Sequence, residues 1–490
     1  MLTLIKVELK KIFNKKSIYI IWGLMVIFCL LNNILYKTDY DDNGNYKYLE
    51  HDKLKQEEQQ LQEELTKYNK DNENEVTMYI TIKTKLDIIN LKKKFTDTSW
   101  QYRKINDYLY DYLYQLNYYQ YIKKIKQEHA ETKQKYQTTL EKLQEDNYQY
   151  FLEIEQNQLQ KTIKNIEEQL KITIDKKEQL ELENQLAEQQ FNLKILNYRQ
   201  QNNIKEDNSY LNLALEEYQK NYKIVDYYQT NNLKRTNQEE IEYRNALSSM
   251  KENEYIVEHQ QNINKQNNLN YQLRTIVEDY EIFFVILILI LSGTIFCDEF
   301  KDGTIKLLLI KPYSRGKILL SKYLTIIFTI GISILGLITI QILIGGMIFG
   351  FDSLKIPVVV YHFSKAKMIE YSVIEYMGIR ILARIPFLLM LISISMLIGI
   401  ISSNSILSIT IPLMLYMFSP SLEILATQYN LTIMKYLVNM NWNLQDFLFG
   451  NIKKISFISL KDSIIILIIY FMVLWILTFQ IFKKKNIKNI

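Results

Sequence analysis

Apolar and polar positions are segregated along this chain rather than interleaved. Six stretches are almost continuously apolar: residues 17–36, 281–296, 323–349, 380–401, 405–425 and 462–482. Crossing ~30 Å of hydrocarbon takes about 20 such residues, so the pattern predicts six transmembrane helices. Residues 37–280, between the first two spans, are instead dense in Lys, Glu, Gln, Asn and Tyr. That stretch holds no glycine between Gly44 and Gly293, and the first proline of the chain is Pro312. With both strong helix breakers missing, helix is the expected state throughout.

Within the polar stretch, Leu159, Ile163, Ile166 and Leu170 keep the 4-3-4 spacing of a coiled-coil seam. Ile105, Leu109, Tyr112 and Leu116 form a second helical stripe. Breaks are marked by capping signals, with Asp175 three residues before Glu178 and Thr236 three before Glu239. The expected fold is an all-α membrane protein: six transmembrane helices plus a long helical, coiled-coil-like extracytoplasmic domain between the first and second spans. Three parts follow. Residues 1–36 are an N-terminal amphipathic interface helix and the first span, 37–280 the helical domain, and 281–490 a five-span membrane domain with a loop at 297–322.

Two ends of the membrane part carry further patterning. "MLTLIKVELKKIFNKK" puts Leu2, Ile5, Leu9 and Ile12 on one stripe and Lys6, Lys10 and Lys11 opposite, as in a helix lying at the interface. The loop "CDEFKDGTIKLLLIKPYSRGKILLSK" has six Lys or Arg among 26 residues around an apolar row. Asp302 and Thr304 are expected to cap a short helix ending before Pro312, and Ser314 to cap the next span. Basic residues follow the positive-inside rule: Lys6, Lys10, Lys11, Lys15 and Lys16 at the front, the 297–322 loop, and Lys483, Lys484, Lys485 and Lys488 at the back. All three fall on one side, which is expected to be the cytoplasm of a bacterial cell, with both termini there and residues 37–280 outside. The first apolar stretch is read as an uncleaved anchor, because no small-x-small cleavage site follows it.

The overall charge of +5 says little beside this segregation. The cysteines, Cys29 and Cys297, lie in or beside apolar runs and read as small hydrophobes. His51, His129, His259 and His362 are scattered without ligand spacing, so no metal site is expected. No catalytic set is evident, and "GGMIFG" at 345–350 lacks the Lys-Ser/Thr of a phosphate loop. The chain therefore reads as a non-enzyme with no cofactor of its own. Eight tyrosines between Tyr102 and Tyr121 suit a contact face, but a plain helical spacer or dimerisation surface is the simpler account of the insertion. Arg380 and Arg384, one turn apart, and Glu423 beyond Pro420 are costly in a bilayer. They fit either snorkelling to lipid phosphates or the lining of a lateral gate for an amphiphile.

The segment "EFKDGTIKLLLIKPYSRGKILLSKYL" resembles the signature of the type-two ABC exporter permeases: an acidic residue, Gly-Thr, an apolar row, a proline, an arginine and a later lysine. The matching positions are Glu299, Gly303, Thr304, Pro312, Arg315 and Lys322. "ELKKIFNKKS", with Glu8, Lys10 and Lys11, is similar to that family's interface helix, and the six spans agree. The resemblance implies a permease working as a dimer with itself or a related permease, and an ABC ATPase dimer docking on 297–322. ATP is then used only through that partner. The cargo implied is an amphiphilic peptide, antibiotic or lipid. Membrane lipids, and a cell-wall or peptide partner for the helical domain, complete the partners; nucleic acid is not among them. The large insertion departs from ordinary members. It also resembles the phage infection protein and type VII secretion components, which have a long helical segment in this place. That second resemblance implies a non-transporting scaffold or surface receptor.

Overall fold

The computed structural model describes the whole chain except residues 41–49, 123–125, 231–234, 306–312, 454, 456 and 486–490, and the side chains of 50–52 and 126–128. It divides into two compact units. One comprises Met1–Gly44, Asn221–Tyr255 and Ile263–Ile490, the other Asn45–Lys220 and Ile256–Asn262.

The second unit is built of helices α3 (Glu50–Leu65), α4 (Val76–Lys92), α5 (Trp100–Tyr121), α6 (Lys126–Gln144), α7 (Tyr148–Ile172), α8 (Lys176–Asn202) and the first half of α9 (Tyr210–Thr230). The capping signals operate as expected. The Asp175 carboxylate accepts the Lys177 and Glu178 backbone N–H groups at 2.7 and 3.0 Å. On α5 the buried row is Ile105, Leu109 and Leu113, a strict i, i+4 series that leaves Tyr112 and Leu116 half-buried. These side chains meet Phe151 and Leu152 of α7 and Leu196 of α8 in one core.

The first unit holds α1 (Leu2–Phe13), α10 (Asn237–His259, mostly), α11 (Leu269–Asp279) and the six helices long and apolar enough to cross a membrane. These are α2 (Lys16–Asp39), α12 (Glu281–Lys301), α13 (Arg315–Phe349), α14 (Val373–Ser402), α15 (Ser405–Gln428) and α16 (Leu460–Lys484). The chain is nearly all helical. One departure from the expected all-α pattern is a hairpin, β1 (Val358–His362) with β2 (Lys367–Tyr371), pairing antiparallel with Val358 opposite Tyr371. Its cause is local: three consecutive valines favour a pleated strand, and Ala366 takes the positive φ of 49° that the tight turn demands. A capping box follows, Ser372 and Glu375 exchanging side-chain-to-backbone hydrogen bonds, and launches α14.

Small and polar residues set how closely the spans approach. A Cβ on Gly293 of α12 would stand 2.7 Å from Ile409 of α15, and one on Gly399 of α14 would stand 3.0 Å from the Ser408 hydroxyl. Ser395 and Ser408 donate to each other's backbone carbonyls across the same crossing at 2.8 and 2.5 Å. Between α2 and α13, the side-chain amides of Asn33 and Gln341 bond reciprocally at 3.0 and 3.3 Å. A Cβ on Gly345 would press on that pair, 3.1 Å from Gln341 Nε2 and 3.2 Å from Asn33 Oδ1. Gly345→Ala is therefore expected to cost about 1–3 kcal/mol by overpacking, read as a lowered melting temperature in detergent. Gly331→Ala, whose Cβ meets nothing within 4 Å, should leave the melting temperature unchanged or raise it; equal losses at both sites would discount the packing argument.

Candidate functional site

Helix α1 ends at Phe13, and Lys15 adopts an extended conformation (φ −80°, ψ 120°) that turns the chain into α2. The buried face of α1 is Leu4, Ile5, Glu8 and Ile12. This differs from the stripe expected from sequence, since Leu2 is 83 % exposed and a carboxylate lies inward instead. The reason is the partner it meets. Glu8 is 2 % exposed and Lys322, in the first turns of α13, is fully buried, with Nζ 2.9 Å from Glu8 Oε2. The same ammonium lies 2.8 Å from Glu299 Oε1 on α12 and donates to the Ile295 carbonyl at 3.3 Å. Its three N–H groups thus have three acceptors.

Lys11 closes the square, 2.6 Å from Glu299 and 3.2 Å from Glu8. Two carboxylates and two ammoniums sum to zero, so Glu8, Glu299 and Lys322 can be buried while Lys11, its side chain 46 % exposed, neutralises them from the wet edge. Burial pushes the Glu8 carboxyl up, but the attraction and hydrogen bonds of Lys322 and Lys11 outweigh it and hold the group below the usual carboxylate range. For Lys11, burial works downward and is overcome by Glu299 and Glu8, leaving its pKa above the ordinary lysine value. Beside the square, Lys15 reaches Asp298 at 2.6 Å and Thr294 Oγ1 at 2.7 Å. Glu299 Oε2 stays buried without a hydrogen bond.

Of the residues singled out in the sequence, Glu8, Lys11, Glu299 and Lys322 are brought together here. Arg315 goes elsewhere. Its Nη1 donates to the carbonyls of Phe482 and Lys483 at 2.8 and 2.7 Å, closing the C-terminal end of α16, where helix carbonyls lack internal partners. Gly303 ends α12 in the left-handed region, φ +66°. Thr304 and Lys10 are exposed, as are Lys301, Asp302, Ser314 and Lys317 around them. Ser314 caps α13 as expected, accepting the Lys317 N–H at 3.4 Å. Pro312 and most of the short helix expected before it lie outside the described residues, as does Lys488. Sequence reasoning missed Asp298 and the inward role of Lys485, which bonds Ser403 Oγ at 2.5 Å and the Ile400 carbonyl. The basic run at 483–485 had signalled orientation alone.

A second charged group gathers near the other ends of the spans. Arg380 pairs with Glu278 and donates to the Tyr376 hydroxyl at 2.8 Å. Arg384 pairs with Glu281 and donates to Asn443 Oδ1 at 2.7 Å. Glu423 meets Lys453 at 3.0 Å, and that buried ammonium also donates to the Met440 carbonyl at 2.6 Å. Both arginines are thus engaged by protein carboxylates. Glu281, Arg384, Glu423, Tyr416 and Trp442 share the wall of a cavity of about 340 Å³, which brings Arg384 and Glu423 to one site and leaves Arg380 beside it. Glu278, Glu281 and Lys453 were not legible as members, because their partners lie about 100 and 30 residues away. Among the described residues no His, Cys, Asp and Glu group is placed to hold a metal ion.

Six helices long and apolar enough to cross a bilayer, two of them tied to an N-terminal helix through an ion square, are what a multi-span helical membrane protein would have. A family model described as "Protein of unknown function (DUF2705)" matches residues 243–488, just over half of the 490 residues, and the chain belongs to that family. The match takes in Glu299, Arg315, Lys322 and the whole second charged group. A curated relative, "Uncharacterized protein YhcI" of Bacillus subtilis (strain 168), is 26 % identical over 241 residues, covering 48 % of this chain and 75 % of the relative. No solved structure matches.

Proposed function

We propose that the chain is the permease subunit of a bacterial ABC exporter, working as a dimer and driven by a separate ATPase. The observation that carries this reading is the ion square of Glu8, Lys11, Glu299 and Lys322. It binds α1, the end of α12 and the start of α13 into one body, and a partner pushing on any of the three moves the others. The basic flanks support a cytoplasmic position for this end, with the helical insertion outside as an extracytoplasmic, coiled-coil-like arm. The interior residues hold the joint, so the docking surface falls to the exposed rim of Lys10, Lys301, Asp302, Thr304 and Lys317. ATP-driven closure below tilts α12 and α13 together, and the cavity lined by Arg384 and Glu423 lies on the path offered to an amphiphile.

An ABC-type ATPase is expected to co-purify with the solubilised chain, and Lys301→Glu with Lys317→Glu to abolish that association while leaving the melting temperature unchanged. Retained association in the double variant would remove the docking assignment. Labelling of a cysteine at Lys317 from outside intact cells would remove the orientation, and with it the exporter.

A further inference from the structure

The helical unit carries a cleft of its own, apart from the ion square and the cavity between the spans. It measures about 420 Å³ and opens between α5, α7, α8 and α9. That is within the roughly 300–1,000 Å³ usual for small-ligand sites, but its wall is unusually polar. Gln158 and Thr162 stand on α7, Asn192 and Arg199 on α8, Gln219 on α9, and Lys104 on α5. Arg199 is the anomaly, a guanidinium only 3 % exposed. It gives one hydrogen bond to Asn212 Oδ1 at 2.6 Å, and the nearest carboxylate it pairs with, Glu206, stays 3.8 Å away.

The two carboxylates of the cleft are committed to another cation. Lys104 lies 2.5 Å from Glu206 and 3.6 Å from Glu155, and Glu155 also accepts the Tyr108 hydroxyl proton. Arg199 is therefore a desolvated cation at a polar cleft with no carboxylate at hydrogen-bonding distance among its described pairs. Burial drives its pKa down against the opposing pull of Tyr148 and Glu216, the direction expected of a cation short of counter-charge. A guanidinium has five N–H donors in a planar fork that fits a carboxylate with two parallel bonds. Asn212 takes one of them and the Tyr148 hydroxyl another, while Glu206 at 3.8 Å pairs by charge alone.

The geometry points to a binding site for the carboxylate end of a short peptide, with Arg199 holding the terminal carboxylate, while the Gln158 amide and the remaining donors and acceptors of the Asn192–Gln219 amide pair, bonded at 2.8 Å, meet peptide groups. An amide-rich wall suits a ligand that itself carries amides, and Leu159, Ile195 and Leu196 at the same wall offer room for its short apolar side chains. The site is independent of the exporter reading, since it needs neither an ATPase nor a particular orientation.

Isothermal titration of the full chain in detergent with N-acetyl-dialanine tests it. Saturable binding is expected, at least tenfold weaker for the C-terminal amide of the same peptide and at least tenfold weaker for acetate alone. Thr162→Glu puts an opposing carboxylate on an exposed position of the cleft wall, where folding is unaffected, and should weaken the peptide at least tenfold. Arg199→Lys keeps the charge, loses the fork and should also weaken it. Equal binding of acid and amide, acetate as tight as the peptide, indifference to Thr162→Glu, or no saturable heat up to millimolar peptide would each overturn the assignment. Failure here leaves ATPase co-purification untouched, so the two readings fall separately.

Discussion

Lys322→Met is expected to destabilise the protein by about 3–5 kcal/mol, the range for removing one partner from a buried ion pair. The loss is large because Lys322 serves two carboxylates. Without it Glu8 and Glu299 stay buried on either side of Lys11 alone. Unfolding in detergent, followed by tryptophan fluorescence, measures the loss. Its pH dependence gives a second check. In the intact chain the Glu8 carboxyl is held below its ordinary value of 4.5. Its contribution is therefore complete above that pH and fades as the pH falls through the depressed folded value. In Lys322→Met the larger attraction that lowered Glu8 is gone, Lys11 alone remains, and burial raises the carboxyl, so mild acid should protonate one carboxyl and narrow the gap to the intact chain. Adding Glu299→Gln to Lys322→Met removes the excess negative charge and should recover most of the stability. A loss under about 1 kcal/mol, the level of surface ion pairs, would show that the square is not formed as described.

The second largest effect is expected at Arg384. Arg384→Met strips Glu281 of its ion-pair partner where the glutamate side chain is only 19 % exposed, again at a cost of about 3 kcal/mol or more. Because both residues border the same cavity, Glu281→Gln combined with Arg384→Met separates stability from function. The double variant should regain most of its stability but not transport of an amphiphilic cargo, since the cavity wall loses two of its three charges and keeps only Glu423. Adding up of the two single-variant losses, with no coupling beyond about 0.5 kcal/mol, would mean that the pair contributes nothing as a pair. Normal transport by an Arg384→Ala, Glu423→Ala variant would take the cavity out of the path.

The six spans were legible because bilayer thickness imposes a length and a composition that no other element shares. The caps at Asp175, Ser314 and Thr236 were equally plain, since a helix start needs an acceptor within reach of its first N–H groups. The direction of Glu8 was not. An amphipathic pattern assigns a charge to the wet face, and only a buried lysine 314 positions away reverses that. The same holds for Arg315: its motif position identified it, yet its acceptors are carbonyls at the far end of the chain, with no side-chain identity to read. Hairpin residues 358–371 were hidden for another reason. Their alternation spans only five positions on each arm, too few to stand out between two spans.

Helix α13 runs for 35 residues, which at 1.5 Å each is about 52 Å. Laying that length within ~30 Å of hydrocarbon would require a lean near 55°, beyond the roughly 40° that spans adopt. Part of it must stand clear of the lipid. Moving as one rod it would work as a tiller: Lys322 sits near one tip and Gln341 and Gly345 near the other, so a swing of about ten degrees about its middle would displace the tips by roughly 4–5 Å in opposite directions. A nudge at the ion square would be felt at the Asn33–Gln341 amides without any chain of intervening rearrangements.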